Sequence, residues 1–228
     1  MKKRIGILGG ISHESTIFYY DLILRTYYHR FQDYYYPEIV IYSLDFQKFT
    51  DFEDKGDKVG YIDYILHGIK ALERAGVDLI IMAANSPHAV FKDVKTQTEI
   101  PMLSIAETTA KYAKNQNMKT LLLIGIRFTM QSSFYKDICG KYGIEVIVPS
   151  EEEQEEINNI IFEELVIGVF KIDSKKKILK IINNYKVDGV ILGCTELPLL
   201  LRQEDTAVVL LNTVEIHVNA VLDFTLLS

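Results

Sequence analysis

The chain has 228 residues, 48% hydrophobic and 25% charged, with a net charge of −6. That is apolar enough for one large core or two small ones, while the negative balance argues against a nucleic-acid surface, which needs a basic field. No apolar run reaches the roughly 18 residues of a membrane span, and two cysteines in a chain this long do not make a disulfide framework, so a cytoplasmic protein is expected.

The opening Met1-Lys2-Lys3-Arg4 is basic, but Ile5–Gly10 is too short and glycine-rich for a signal segment. It reads as a first strand over 4–8. A helix over 15–31, a strand over 38–43, a helix over 57–75 and a strand over 79–83 follow. A short strand over 102–104, a helix over 107–114 and a strand over 120–124 come next. The remainder reads as helix 131–142, strand 145–148, helices 152–167 and 174–184, strands 190–192 and 208–210, and helix 214–226. Short apolar strands without polar alternation, separated by helices, predict parallel sheets covered on both faces. Glycine in Ala75-Gly76-Val77 and Tyr142-Gly143-Ile144 suits the positive φ of a helix-ending turn. The acidic run Glu151–Glu156, broken only by Gln154, reads as a solvated helix start that complements the helix dipole.

The pattern also repeats. Val77-Asp78-Leu79-Ile80-Ile81-Met82-Ala83-Ala84-Asn85-Ser86 matches Val187-Asp188-Gly189-Val190-Ile191-Leu192-Gly193-Cys194-Thr195-Glu196, and Lys3–Gly9 matches Lys119–Gly125. With Asp78 set on Asp188, Ala84 falls on Cys194. The expected architecture is α/β, with two pseudo-symmetric three-layer (Rossmann-like) α/β domains. The N-terminal domain would comprise residues 1–99 plus 213–228 and the C-terminal domain residues 100–212. In open α/β sheets ligands bind beyond the carboxyl ends of the strands, so two such halves would bring both tripeptides to one cleft.

Several segments offer chemistry, each with a plainer reading beside it. Gly9-Gly10-Ile11-Ser12-His13-Glu14-Ser15-Thr16 follows a strand and opens a helix. Its amides and the Ser12, Ser15 and Thr16 hydroxyls form an anion site or an ordinary capped turn. The spacing is not that of a dinucleotide fingerprint. Asn85 and Ser86 can bind a charged group at a strand tip, or Pro87 simply starts a helix there. His88 is acid/base support or a satisfied core histidine. Cys194 at a helix N-terminus is expected to favour the thiolate; the alternative is a buried, inert cysteine. Cys139, within a helix, is packing. Glu196 assists proton transfer or caps the helix, and Thr129 contacts ligand or caps one. The aromatics from Tyr19 to Tyr36 serve the core or a dimer face. The five histidines show no paired metal-ligand spacing, so no metal is expected.

Taken together, Gly9–Thr16, Asn85-Ser86-Pro87-His88, Ile161–Gly168 and Gly193-Cys194-Thr195-Glu196 make the chain similar, over nearly its whole length, to the aspartate/glutamate racemase family. The resemblance implies two α/β domains with the site between them, often in a homodimer, and no cofactor. It implies two cysteines on opposite faces of the substrate α-carbon, one removing the proton and the other returning it. Cys194 matches the second of these, whereas the first position is Ala84. That places the chain in a one-cysteine branch, with Ser86, His88 or a water serving the other face. The implied substrate donors are the Ser12–Thr16 loop with Glu14, then Asn85, Ser86, Thr129 and Thr195. Two other readings stand: a one-cysteine decarboxylase of the arylmalonate type, and an amino-acid-binding protein without turnover. Aspartate-specific members carry an arginine near Phe46–Thr50 and a lysine near Val166 or Ile167. Here only Lys48 is present, leaving Lys48, Arg127 or His13 to meet a side-chain carboxylate. Aspartate is the first expected substrate and glutamate the second.

Overall fold

A computed structural model describes residues 3–226; Met1, Lys2, Leu227 and Ser228, which the sequence reading assigned to the first domain, lie outside the described residues. Of the described residues, 3–104 with 217–226 form one compact unit and 105–216 the other.

The first unit contains β1 (Ile5–Gly9), α1 (His13–Phe31), β2 (Ile39–Ser43), α2 (Phe46–Lys55), α3 (Lys58–Arg74), β3 (Leu79–Met82), a 3-10 turn (Ser86–Val90) and α4 (Phe91–Lys95). Its strands pair in parallel in the order β2-β1-β3. Every residue of β1 and β3 is buried, as apolar strands between two helical layers must be. The three longer helices, α1, α2 and α3, each have a side-chain cap at their start. Ser12, Asp45 and Asp57 accept the amides of Ser15, Lys48 and Gly60, satisfying donors that the helix itself leaves open.

The second unit contains α5 (Ile105–Asn115), β4 (Thr120–Ile124), α6 (Arg127–Gln131), α7 (Phe134–Gly140), β5 (Glu145–Ile147), α8 (Glu151–Glu163), α9 (Ile172–Asn183), β6 (Gly189–Leu192), α10 (Leu197–Leu200) and β7 (Val209–Asn212). The strand order is β5-β4-β6-β7, all parallel. The last helix, α11 (Thr213–Leu226), begins in this unit and ends in the first.

The internal repeat is visible in matching hydrogen bonds. The Asp78 amide donates to Arg4 O at 2.8 Å and the Asp188 amide to Thr120 O at 2.9 Å. The Asp78 carboxylate accepts the Arg4 amide, and the Asp188 carboxylate accepts those of Lys119 and Thr120. At the other strand end, Ala83 N–H donates to Leu8 O at 2.9 Å and Gly193 N–H to Ile124 O at 2.7 Å. One framework is used in both units, from the strand starts to the tips.

Several elements differ from the sequence reading. The strand expected over 102–104 is a single bridge, Met102 with Ile80, because Pro101 lacks an amide and α5 starts at Ile105. The Pro101 carbonyl still accepts the Ile80 amide, which keeps this segment with the first unit and moves the boundary from 99 to 104. The helix expected over 131–142 is broken, because Ser132 is extended (ψ 147°) between α6 and α7. The helix expected over 152–167 ends at Glu163, followed by a separate 3-10 turn, Leu165–Ile167. Finally, α2 was not foreseen. Among the aromatics of the first helix and its sequel, Tyr19 and Tyr27 are buried while Tyr20, Phe31, Tyr34 and Tyr35 are exposed. No described helix is long and apolar enough to cross a membrane.

His217 on α11 is fully buried. Its Nε2–H donates to Leu103 O at 3.2 Å, which leaves Nδ1 to accept the Tyr19 hydroxyl at 3.0 Å. Burial lowers its pKa to about 4. A histidine whose folded pKa is depressed stabilises the fold fully above its unfolded value, about 6.5, and loses that contribution as pH falls toward the folded value. The window is therefore pH 6.5 down to about 4, with a slope of about 1.4 kcal/mol per pH unit for this group. Urea midpoints measured between pH 7 and pH 4 are expected to fall, and His217→Gln is expected to flatten that fall. An identical pH dependence in both proteins would contradict this assignment.

Candidate functional site

In the second unit, β6 is buried throughout and is followed by Gly193. A side chain at 193 would place its Cβ 2.9 Å from Ile124 O, and one at Gly125 would lie 2.8 Å from Gly193 O. Glycine at both positions lets the tips of β4 and β6 close together. Cys194 emerges immediately beyond, with 8% of its surface accessible.

Its thiol donates to Glu196 Oε2 at 2.9 Å, and the Thr195 hydroxyl donates to the same oxygen at 3.0 Å. The expectation that a helix N-terminus favours the thiolate is corrected here. α10 is a single turn of four residues. Burial, followed by the charge of Glu196, raises the Cys194 pKa well above the ordinary thiol value, and these outweigh the amides of Glu196 and Thr195. The resting group is a neutral thiol aimed at a carboxylate. Glu196 is thus placed to receive the thiol proton when a thiolate is needed, and it precedes α10 without a side-chain capping bond. Cys139 is fully buried on α7, and burial pushes it up to about 12, as befits an inert packing residue.

Thr129 lies in α6, its methyl beside the place a Gly193 side chain would occupy. It does not cap the helix, whose cap position is Ile126. It is fully buried, and its hydroxyl has no hydrogen-bond partner among the described residues. Such an orphan costs about 1–3 kcal/mol and calls for an explanation. A ligand group at the strand tip would supply one.

In the first unit the corresponding tip is Ala83-Ala84-Asn85-Ser86, every residue buried. The opening loop is bound to it from within. Thr16 Oγ1 accepts the Gly10 amide and donates to Ser12 O, both at 2.8 Å. Ser12 Oγ accepts the Ser15 amide, and the Ser15 hydroxyl donates to Ala83 O. Gly10 has φ +81°, and any side chain there would strike Leu44 backbone atoms. These hydroxyls, read from sequence as an anion site or an ordinary capped turn, hold the loop against the tip. Glu14 is paired with His13 at 3.2 Å.

His88 also takes a structural place. It is buried, its Nδ1–H donates to Ala84 O at 3.0 Å, and its ring stacks on Phe91. Burial, with His217 nearby, lowers its pKa to about 3. The ring is neutral at ordinary pH, and of the two readings the sequence left open the geometry favours a satisfied core histidine that positions the Ala84 carbonyl.

The sequence reading missed Glu53 and Tyr61. Glu53 lies on α2, four residues beyond Phe49 and seven beyond Phe46, so a carboxyl falls on the apolar face of that helix. It is partly buried and accepts the Tyr61 hydroxyl at 2.8 Å and the Ser86 hydroxyl. Burial raises it to about 7 against both hydrogen bonds, with the adjacent Asp54 charge adding to the rise.

The candidate cations differ in their surroundings. Arg127 is ion-paired with Glu155, and His13 Nε2 lies 3.2 Å from the Glu14 carboxylate. The Lys48 ammonium lies 4.7 Å from the Tyr64 ring centre, with no carboxylate in ion-pair range among the described residues.

Comparison with known proteins bears on this arrangement. A model of the family described as Asp/Glu/hydantoin racemase matches residues 8–221. A broad-specificity amino-acid racemase of Bacillus subtilis is 30% identical over 160 residues, 69% of each chain. The crystal structure of an aspartate racemase homologue from Pyrococcus horikoshii OT3 superposes with a TM-score of 0.85 at 41% identity, covering 99% of both chains. An aspartate racemase of Picrophilus torridus, 22% identical, shares the fold with a TM-score of 0.78 over 98% of this chain and 94% of that one.

If the Thr129 hydroxyl is unsatisfied in the free protein, Thr129→Val keeps the shape and removes the orphan. The unfolding free energy from urea titration is expected to stay level or rise, by about 1 kcal/mol at most. A loss of stability would show that the hydroxyl has a partner in the fold.

Proposed function

The chain belongs to the Asp/Glu/hydantoin racemase family, and from that premise we propose that it racemises an acidic amino acid, aspartate first and glutamate second, with Cys194 as the acid/base on one face of the α-carbon. The observation that carries the reading is the buried thiol–carboxylate pair, Cys194 with Glu196.

The chemistry follows from that pair. For removal of the α-proton, the thiol proton passes to Glu196 and the thiolate takes the proton from carbon. In the reverse direction the thiol returns a proton and Glu196 restores it. A positioned acid/base of this kind contributes about 10²–10⁴-fold. Negative charge develops on the substrate carboxylate during the transfer, so donors directed at it act mainly in the transition state. Asn85, Thr129 and Thr195 are the side chains suited to that task, and the orphan hydroxyl of Thr129 supports its inclusion. Lys48, the candidate cation without a carboxylate partner among the described residues, suits the side-chain carboxylate of the substrate.

The first unit's counterpart of Cys194 is Ala84, whose methyl group carries no proton. Without sulfur at 84, racemisation needs another group to serve the second face of the α-carbon.

Two substitutions test the reading. Cys194→Ala and Cys194→Ser are expected to lower aspartate racemisation, followed by chiral chromatography, by roughly 100-fold or more; an unchanged rate would sink the assignment. Ala84→Cys is expected to raise the rate by adding a second sulfur. A folded Ala84→Cys protein that binds aspartate with no gain would argue against the equivalence of positions 84 and 194.

A further inference from the structure

Position 84 lacks the group that its counterpart supplies, yet a proton-bearing cluster stands two residues away. Ser86 is buried at the tip of β3, and its hydroxyl hydrogen-bonds with the Glu53 carboxyl and the Tyr61 hydroxyl. The Tyr61 hydroxyl, on α3, donates to the same carboxyl at 2.8 Å. Three elements therefore converge on one carboxyl: α2 carries it, α3 anchors it, and the strand tip presents the serine through which it can act.

Structural need does not explain a carboxyl there. Glu53 is partly buried on the apolar face of α2, and no lysine or arginine pairs with it among the described residues. A glutamine would satisfy both hydroxyls without the cost of desolvating a charge. A carboxyl that exchanges a proton near neutrality is what a general acid/base requires, and burial brings Glu53 to about 7. The groups facing it are Tyr61 and Ser86, with Asp54 next to it on the same helix. Tyr61 is pushed well above its ordinary value by burial and the Glu53 charge, so it remains a donor.

We propose that Glu53, relayed through the Ser86 hydroxyl and held by Tyr61, supplies and receives the proton on the substrate face where Ala84 replaces a cysteine. The inference rests on the racemase reading above. In the reprotonation step the Ser86 O–H bond breaks as its proton bonds to the α-carbon carbanion. A new O–H bond forms on Ser86 with the proton from the Glu53 carboxyl, leaving a carboxylate. For the opposite enantiomer the steps reverse, and Glu53 ends protonated. Ser86 is the group that touches substrate; Glu53 and Tyr61 are positioning and proton-holding residues.

The test is Glu53→Gln in heavy water with L- and D-aspartate, following α-proton exchange by NMR and inversion by chiral chromatography. Cys194 remains, so it can still remove a proton and return a deuteron on its own face. The expected result is a fall in inversion of roughly 100-fold or more, with exchange of one enantiomer surviving without inversion. Ser86→Ala is expected to behave alike. Adding Ala84→Cys to Glu53→Gln is expected to restore inversion, which a merely structural role of Glu53 would not allow. Inversion at the native rate in Glu53→Gln would overturn the proposal. So would exchange and inversion lost together in a folded protein that Ala84→Cys does not rescue. If the native protein itself exchanged neither enantiomer, the racemase reading would fail first, and this inference with it.

Discussion

One backbone hydrogen bond, present in each unit, governs everything downstream of it. The amide of the residue ending the inner strand's neighbour binds the central strand: Ala83 to Leu8, and Gly193 to Ile124. That bond fixes where the chain leaves the sheet, and so where residues 84 and 194 stand. The parallel ladders behind it make the positions rigid, since β1, β3 and β6 are buried along their whole length. Functional side chains held by short segments leaving such a frame are more accurately placed than those on long loops.

From these equivalent positions the two units diverge chemically. In the second, burial and a neighbouring carboxylate keep the thiol of Cys194 protonated. In the first, a methyl group occupies the tip, and the ionisable group lies one layer back, at Glu53. The repeat supplies position twice; the surrounding charges decide what each position can do. The opening loop and His88 complete the first tip by fixing the carbonyls of Ala83 and Ala84.

Much of this was readable from the residues. Buried parallel strands are apolar runs, so β1, β3, β4 and β6 stand out, and the repeated Val-Asp motif aligns Ala84 with Cys194 without any coordinates. What was not readable depended on side-chain direction or competing turns. The sequence shows Glu196 two residues from Cys194, but not that its carboxylate turns back onto the sulfur, so the thiol was expected to be acidic. Ser12, Ser15 and Thr16 were rightly located but their hydroxyls face inward, which no spacing reveals. Glu53 was missed because α2 is a short helix whose three phenylalanines alternate with charges; only its register places that carboxyl on the apolar side. The orphan hydroxyl of Thr129 likewise required the packing around Gly193.

The central claim is that this framework moves protons at the α-carbon of an acidic amino acid. The most direct measurement is wash-in of solvent deuterium at that carbon, with the native protein and each enantiomer of aspartate in heavy water. The account predicts deuterium entering both enantiomers together with inversion. Release of carbon dioxide from a malonate-type acid, with no wash-in from aspartate or glutamate, would contradict it. Saturable binding of aspartate with no wash-in would contradict it equally.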